Sequence, residues 1–340
     1  MIGPAMRPRF RLAFLLLCLG IQSLPALAAD GTARVAFVGD VMLAEAEGTG
    51  QLVARGGDPL RLVRAMLAGA DLRVANFESS AGTRGKPDPE KPYSFRTARA
   101  ALPGFASVFE AAGLANNHTV DYGREDLVET AAALAAAGSV PFGAGRDPAE
   151  AHRAAIFERN GVRIALLGYL DFFPRWFTVA PGMPGVAWLD EDQAALDIAR
   201  ARAAGADVVV VVPHWGSEHA PRAHARQRRL ARALLDAGAD AVIGGHPHVV
   251  QDTEVYQGKP IVYSLGNFVF DGFDDEENLI GWAVFAEVDR AGVAAISTRV
   301  VRLDPEGSPV PHAGAAGPCW KRGEAAMRPC PAEQPRAAKE

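Results

Sequence analysis

Between Asp207 and Val212 the chain is almost unbroken valine, and an imidazole, His214, follows at once. An apolar run of that length reads as a buried strand. Helical patterns flank it on both sides, Asp192–Ala204 before and Pro221–Ala237 after. The arrangement recurs along the chain. Arg34–Val38 is an apolar run ending at Gly39-Asp40, Asp71–Asn76 is strand-like and ends in polar residues, and Val162–Leu167, Ala239–Ile243 and Lys259–Ser264 are further strands. Asp58–Gly69 and Asp126–Ala137, the latter closed by Gly138, have helical patterns, and Gly82–Lys91 is a loop. Trp282–Val288 and Val293–Val301 read as a late antiparallel pair. Strands alternating with helices predict a layered α/β domain. No repeat or linker divides it, so one domain is expected over residues 29–304, with a loose Pro- and Ala-rich tail over 305–340.

The first 28 residues stand outside that domain. Arg7, Arg9 and Arg11 precede an apolar stretch from Leu12 to Leu24, and Ala26-Leu27-Ala28 has the small-x-small form a signal peptidase cleaves. The stretch is short for a membrane span, which needs about 20 residues. Export to the periplasm or beyond is therefore expected, with membrane attachment only through an uncleaved signal. Cleavage removes three arginines and no acids, taking the net charge from −5 to −8. That balance argues against nucleic acid as a partner, because phosphate backbones call for clustered positive charge. After cleavage Cys319 and Cys330 remain, and an even pair in an exported chain reads as a disulfide, the alternative being two free thiols in the tail.

In α/β folds, polar groups placed after strands gather along one edge of the sheet, where ligands bind. Here those groups are Asp40; Asn76 and Glu78; Asn116, Asn117 and His118; His214 and Glu218; and His246 and His248. Carboxylate, amide and imidazole together suit borderline divalent metals such as zinc, manganese or iron, whereas magnesium and calcium favour an all-oxygen shell. The run Gly244-Gly245-His246-Pro247-His248 carries the strongest signal, since two histidines one residue apart point the same way off an extended loop. His214 alone reads equally as a core histidine, and Asp40 alone reads more readily as a turn or helix cap. Asn117 beside His118 offers a metal ligand next to a general acid. Arg222, Arg226, Arg228, Arg229 and Arg232 lie on one helix, as a solvated face or as a guide for an anionic polymer, and the acidic run Asp271–Glu277 reads as a loop.

Six ordered motifs carry a resemblance over Arg34 to Phe270: Val38-Gly39-Asp40-Val41-Met42-Leu43; Asn76-Phe77-Glu78; Leu114-Ala115-Asn116-Asn117-His118 with Asp121-Tyr122-Gly123; His214-Trp215-Gly216 with Glu218; Gly245-His246-Pro247-His248; and Ser264-Leu265-Gly266-Asn267-Phe268. Together they resemble the CapA-like poly-gamma-glutamate capsule synthesis family, a branch of the calcineurin-like metallophosphoesterases. The resemblance implies a metallophosphoesterase-like β-sandwich flanked by helices, holding one or two divalent ions of manganese, zinc or iron. It implies Asp40 and Asn117 as metal ligands, His214 and His246 serving one ion and His248 the other, Glu78 as bridging carboxylate, and His118 as the acid that protonates the leaving group. Asn76, Asn116, Glu218, Asn267 and Arg96 are candidate substrate contacts, and the Tyr93–Arg96 segment is expected near the site.

Three departures accompany the resemblance. Met42 stands where the parent pattern has a metal-binding His, Gly245 stands where the capsule family often has another His, and Phe105–Gly113 reads as a helix where a strand usually precedes the Asn116 motif. The function implied is a metal-dependent hydrolase or transferase acting on an anionic extracellular polymer, with an envelope biosynthesis complex as possible company. The alternatives are a non-catalytic component that holds or exports polymer, and a periplasmic phosphoesterase.

Overall fold

The computed structural model of the chain describes residues 31–44, 56–89 and 91–331, with Met1, Gly3 and Val53. The expected signal segment, 1–28, lies outside the described residues apart from Met1 and Gly3. In chain order the strands are β1 (Ala33–Val41), β2 (Leu72–Phe77), β3 (Ala111–Gly113), β4 (Val140–Phe142), β5 (Ala144–Gly145), β6 (Ala155–Arg159), β7 (Val162–Asp171), β8 (Gly185–Val186) and β9 (Val208–Trp215). There follow β10 (Ala241–Ile243), β11 (Thr253–Tyr256), β12 (Lys259–Val262), β13 (Asn267–Val269), β14 (Ile280–Asp289), β15 (Gly292–Leu303), β16 (Pro309–Pro311), β17 (Pro318–Lys321) and β18 (Arg328–Pro329). One large sheet runs β18-β17-β15-β14-β1-β2-β3-β4, with β13 also on β1 and β16 on β15; the second runs β11-β12-β10-β9-β7-β6, and β5 and β8 form a separate two-stranded pair.

The two sheets face each other, and strand periodicity explains how. Successive side chains alternate faces, so Val35 and Phe37 of β1, with Leu72 and Val74 of β2, meet Ile164, Leu166, Val208 and Val210 of the second sheet in the central layer. The intervening Ala36, Val38, Ala75 and Phe77 pack outward with Leu102 and Phe105 of helix Leu102–Ala106 and Leu127 and Leu134 of helix Arg124–Ala137. On the far side Ala165, Leu167, Val209 and Val211 pack with Ile198 of helix Glu191–Ala203 and Leu230 and Leu234 of helix Ala225–Asp236. A strand covered on both faces has no polar side, which accounts for the unbroken valine run. The result is a single layered domain, a β-sandwich flanked by helices. No described helix is long and apolar enough to cross a membrane.

Three local expectations are corrected. Phe105–Gly113 is not one helix: the helix ends at Ala106, and Ala111–Gly113 forms β3, paired in parallel with Val74–Asn76. Ala-Ala-Gly has little strand preference of its own, and the open edge of β2 decides its state. The helix expected over Asp58–Gly69 shrinks to the single turn Arg64–Leu67, because Asp58 accepts the Leu60 N–H at 3.0 Å and pairs with Arg64, holding the preceding residues in turns. The tail is ordered as far as residue 331: β17 joins β15 at Ala295 and Ile296, and Trp320 is buried with its Nε1 donating to Glu324 O at 2.8 Å.

Cys319 and Cys330 are disulfide-bonded, closing a loop with a sequence separation of 11. A loop of that size restricts the unfolded chain by about 3 kcal/mol on the chain-entropy account. Cys319→Ser/Cys330→Ser is therefore expected to lower the urea midpoint by an amount matching a loss of about 2–3 kcal/mol. An unchanged midpoint would show that the loop is equally restricted without the bond.

Candidate metal centre

Each polar group reaches the centre from the end or the following loop of a strand. Asp40 is the penultimate residue of β1, where the ladder to β2 is irregular between Val38 and Asp40, and its backbone N–H donates to Gly266 O at 3.1 Å. Glu78 follows β2, Asn117 and His118 follow β3, His214 sits near the end of β9, and His246 and His248 follow β10. Because β1, β2 and β3 run parallel, as do β9 and β10, these ends fall at one edge of the sandwich. The loop after β10 carries two non-glycine residues of positive φ, His246 (97°) and His248 (57°). Backbone held in such regions costs about 1–3 kcal/mol per residue and gathers at functional sites.

The distances describe one contiguous cluster. Asn76 Nδ2 donates to Asp40 Oδ1 at 2.8 Å and to Glu78 Oε2 at 3.0 Å. His214 Nε2 lies 2.8 Å from Asn117 Oδ1, 3.2 Å from His246 Nδ1 and 3.5 Å from Glu78 Oε1. His248 Nδ1 lies 3.4 Å from Asp40 Oδ2, and its Nε2 is 3.9 Å from Glu78 Oε1. Asp40, Glu78, Asn117, His118, His214, His246 and His248 are all buried. Two sets of donors have ligand atoms within 4.8 Å of one another: Asp40, Glu78 and His214; and Glu218, His246 and His248.

Electrostatics sharpens the picture. Burial and the Asp40 charge push the Glu78 carboxyl well above its usual range. Burial would do the same to Asp40, but the His248 hydrogen bond, the His248 charge and the Asn76 amide outweigh it and hold the Asp40 carboxyl low. Burial presses His214 down to about 3, Asp40 opposing, and presses His246 down as well, reinforced by His214 and His248. Burial thus favours the neutral imidazole in both, the form that ligates metals. Burial also acts against a charged His248, but the Asp40 contact prevails and raises it. Glu78 Oε1 is buried without a hydrogen-bond partner among the described residues, and an orphaned carboxylate oxygen is costly. A cation satisfies that oxygen and relieves the Asp40–Glu78 repulsion together, so the donor set fits a divalent metal.

His118 sits beside this cluster in a network of its own. Its Nδ1 lies 2.8 Å from Asp121 Oδ2, which also takes the Phe95 N–H at 2.7 Å, while Lys91 Nζ pairs with Asp121 and donates to Asn117 O at 2.8 Å. The Phe95 ring lies 4.4 Å from that of His118. Burial lowers the His118 pKa, with Asp121 opposing. In the sequence Asp121 belongs to a motif but has no role assigned, and Lys91 is only the end of a loop. A basic residue closing a loop carries no local sign of the carboxylate it will meet.

The candidate substrate contacts divide. Asn116 is a structural knot, donating to Asn76 Oδ1 at 3.0 Å and Phe77 O at 2.9 Å and accepting His118 N–H at 3.0 Å. Asn267 Oδ1 holds His248 Nδ1 at 2.8 Å. Asn76 bridges the two carboxylates, and Glu218 is exposed beside His246 and His248. Arg96 does not join them: its guanidinium donates to Asp126 at 2.8 Å and covers the Tyr122 ring. Met42 is buried with Ala44, Phe270 and Leu303, its sulfur taking the Ala44 N–H at 3.2 Å. On the arginine-rich helix, Arg226 pairs with Asp171, Arg228 with Asp252, Arg229 with Glu191 and Arg232 with Glu254, which largely neutralises that face as a guide for polyanions.

A family model described as "Bacterial capsule synthesis protein PGA_cap" matches residues 34–272. The "PGA biosynthesis protein CapA" of Bacillus subtilis (strain 168) is 34% identical over 251 residues, 71% of this chain and 64% of that protein. The "Capsule biosynthesis protein CapA" of Bacillus anthracis is 40% identical over 166 residues, 48% of this chain and 40% of that one. The chain thus spans less than two thirds of either relative's length. A solved structure of a hypothetical protein from Thermus thermophilus superposes with a TM-score of 0.50 at 20% identity, covering 78% of this chain and 98% of that one, a likeness of fold.

Proposed function

The chain belongs to the bacterial capsule synthesis protein family PGA_cap, and from that membership and the buried donor set we propose that it is a metal-dependent hydrolase or transferase acting on an anionic extracellular polymer of the polyglutamate class. The single observation that carries the metal is Glu78 Oε1, buried and unpartnered, 3.5 Å from His214 Nε2 and 3.9 Å from His248 Nε2. Asp40, Glu78, Asn117, His214, His246 and His248 hold the cation in this reading. A divalent ion there supplies Lewis acidity toward a carbonyl or phosphoryl oxygen.

The chain's own groups supply the rest. Asp121 holds the His118 ring by Nδ1 at 2.8 Å, which leaves Nε2 to pass a proton to the leaving group. Lys91 keeps the Asp121 carboxylate in place, and the Phe95 ring covers His118 and limits water around it. Export and work beside an envelope biosynthesis complex belong to the same reading. The Cys319–Cys330 bond supports an oxidising compartment. Amino-terminal sequencing of secreted protein is expected to begin at Ala29; an intact Met1 start in the cytoplasm would remove the export step.

Metal analysis of purified protein, followed by hydrolysis assays on poly-γ-glutamate and on phosphoesters, tests the proposal. Wild type is expected to carry a divalent ion and turn over the polymer. His118→Ala keeps the ion and loses about 10²–10⁴-fold in turnover, whereas His246→Ala loses the ion. A metal-free wild type inert on both substrate classes sinks the enzymatic reading. Polymer binding without turnover assigns the cleft to holding or export, and turnover of phosphoesters alone makes the protein a phosphoesterase.

A further inference from the structure

One loop carries a surface unlike the rest of the chain. From Phe172 to Leu189, between β7 and helix Glu191–Ala203, eighteen residues include no acid and a single charge, Arg175, in a chain with 40 acidic residues. Phe173 is 62% exposed, Trp176 41% and Met183 47%, and Pro174, Arg175 and Pro181 are exposed with them. The flanking acids are committed elsewhere: Asp171 pairs with Arg226, and Asp190 caps the following helix by accepting the Gln193 N–H at 3.1 Å. Exposed apolar residues such as Leu62, Val140 and Leu196 stand singly elsewhere, which is ordinary. Three large apolar groups on one short loop are a patch, and patches of that kind mark contact surfaces.

The loop is braced in this exposed form. Arg124, at the start of helix Arg124–Ala137, donates to Thr178 O at 3.1 Å and also to Trp176 O and Pro184 O. Ala180 and Met183 exchange backbone bonds at 3.0 and 2.9 Å, and Val179 N–H donates to Val186 O at 3.0 Å. Trp176 stacks on buried Phe177 with ring centroids 4.0 Å apart. Phe173 lies 5.1 Å from the buried Trp188 ring, and Arg175 covers the same indole at 4.5 Å. With those carbonyls taken, the exposed side chains offer only the Arg175 guanidinium and the Trp176 indole N–H as hydrogen-bond donors. A protein interface carries about one hydrogen bond per 100–200 Å², and a polycarboxylate calls for several Arg or Lys partners. A lipid surface calls for neither, since aromatic residues seat at the headgroup level and one arginine meets anionic headgroups.

We infer that the loop from Phe173 to Met183 is a membrane contact, seating Phe173, Trp176 and Met183 in the surface of an anionic bilayer with Arg175 at the headgroups. The contact is separate from the amino-terminal segment, adding to the attachment through an uncleaved signal that the sequence allows, and it does not depend on the metal-dependent reading. Phe172, at the root of the loop, lies 5.0 Å from the His246 ring. Seating the loop therefore holds the candidate centre beside the lipid surface.

Vesicles of phosphatidylglycerol and phosphatidylcholine, brominated on the acyl chains, test this on the full-length protein. The first tryptophan of the chain is Trp176, and it is the exposed one among the described residues, so bromine quenching of tryptophan fluorescence reports on the loop and not on the amino-terminal segment. Wild type is expected to be quenched, and Trp176→Phe to lose the quenching while still binding. Trp176→Glu/Met183→Glu, both on the surface, is expected to bind about tenfold or more weakly, with an unchanged urea midpoint. Arg175→Gln is expected to bind anionic vesicles about fivefold more weakly and phosphatidylcholine vesicles as wild type does. Wild type that ignores the vesicles, or binds them without quenching, overturns the inference, and the second result assigns the binding to the amino-terminal segment. Wild-type vesicle affinity in the double variant also overturns it, and weakened poly-γ-glutamate binding by that variant would then assign the loop to the polymer.

Discussion

Glu78→Gln is expected to stabilise the metal-free protein and at the same time to remove most of the stabilisation a cation brings. Glu78 is fully buried, its Oε1 lacks a partner, and Asp40 repels its charge. A glutamine of the same shape keeps the acceptor that Asn76 Nδ2 meets at 3.0 Å and puts a neutral donor where the orphaned oxygen stands. Relief of one unsatisfied buried group amounts to about 1–3 kcal/mol, a rise of a few degrees in melting temperature for a domain of this size. The sign follows from linkage. A carboxyl raised on folding gives stability that is intact below its ordinary value of 4.5 and is lost as pH climbs toward the shifted value, so the advantage of glutamine widens above pH 4.5. Asp40, held low in the fold, works in the opposite direction, and both proteins weaken as pH falls below 3.8. With Mn²⁺ or Zn²⁺ the order reverses, because the variant has lost a charged ligand and about 10–100-fold or more in affinity. Thermal melts of chelator-treated protein across pH, repeated with added cation, read both halves. A glutamine variant that melts lower than wild type without metal would contradict the account of Glu78 as a carboxylate poised for a cation.

Gly39→Ala is expected to do the most damage for its size. A side-chain carbon at Gly39 would sit well inside contact distance of Gly266 O and 3.3 Å from Leu265 C. Both partners are backbone, so neither can swing aside as a side-chain tip would. Relief requires β1 to part from β13, which breaks the Asp40 N–H to Gly266 O bond and moves Asp40 within the cluster. Overpacking of buried sites costs about 1–3 kcal/mol, and the lost backbone bond adds about 1 kcal/mol. Urea titration is expected to show a loss of about 2–4 kcal/mol, with cation affinity reduced together with it. Wild-type stability in this variant would mean that the two strands have slack at the contact.

Much of the architecture was legible because it depends on local pattern. The valine run, the Gly138 helix stop and the paired late strands are properties of contiguous residues, and the structure has them at those places. What failed to show were elements with no local preference. Ala111–Gly113 becomes a strand only because β2 offers it an edge, and residues 309–329 add strands to the large sheet although their proline-rich sequence suggests none. The same division runs through the candidate centre. Asp40, Glu78, Asn117, His214, His246 and His248 stood among the polar groups placed after strands, and the family resemblance singled them out as ligands, whereas Lys91 bracing Asp121 and Asn278 locking His219 join residues far apart in the chain.

Strand and helix periodicity, the order of the motifs and the kinds of donor atom were written in the chain itself, because each depends on residues within a few positions of one another. Which donors share a cation-sized space, that Met42 turns into an apolar cluster, that Arg96 is committed to Asp126, and that Glu218 stands over His246 and His248 depend on how the two sheets stack and how the loops at their edge are tied. Those relations are set by packing between segments remote in sequence, and no local pattern encodes them.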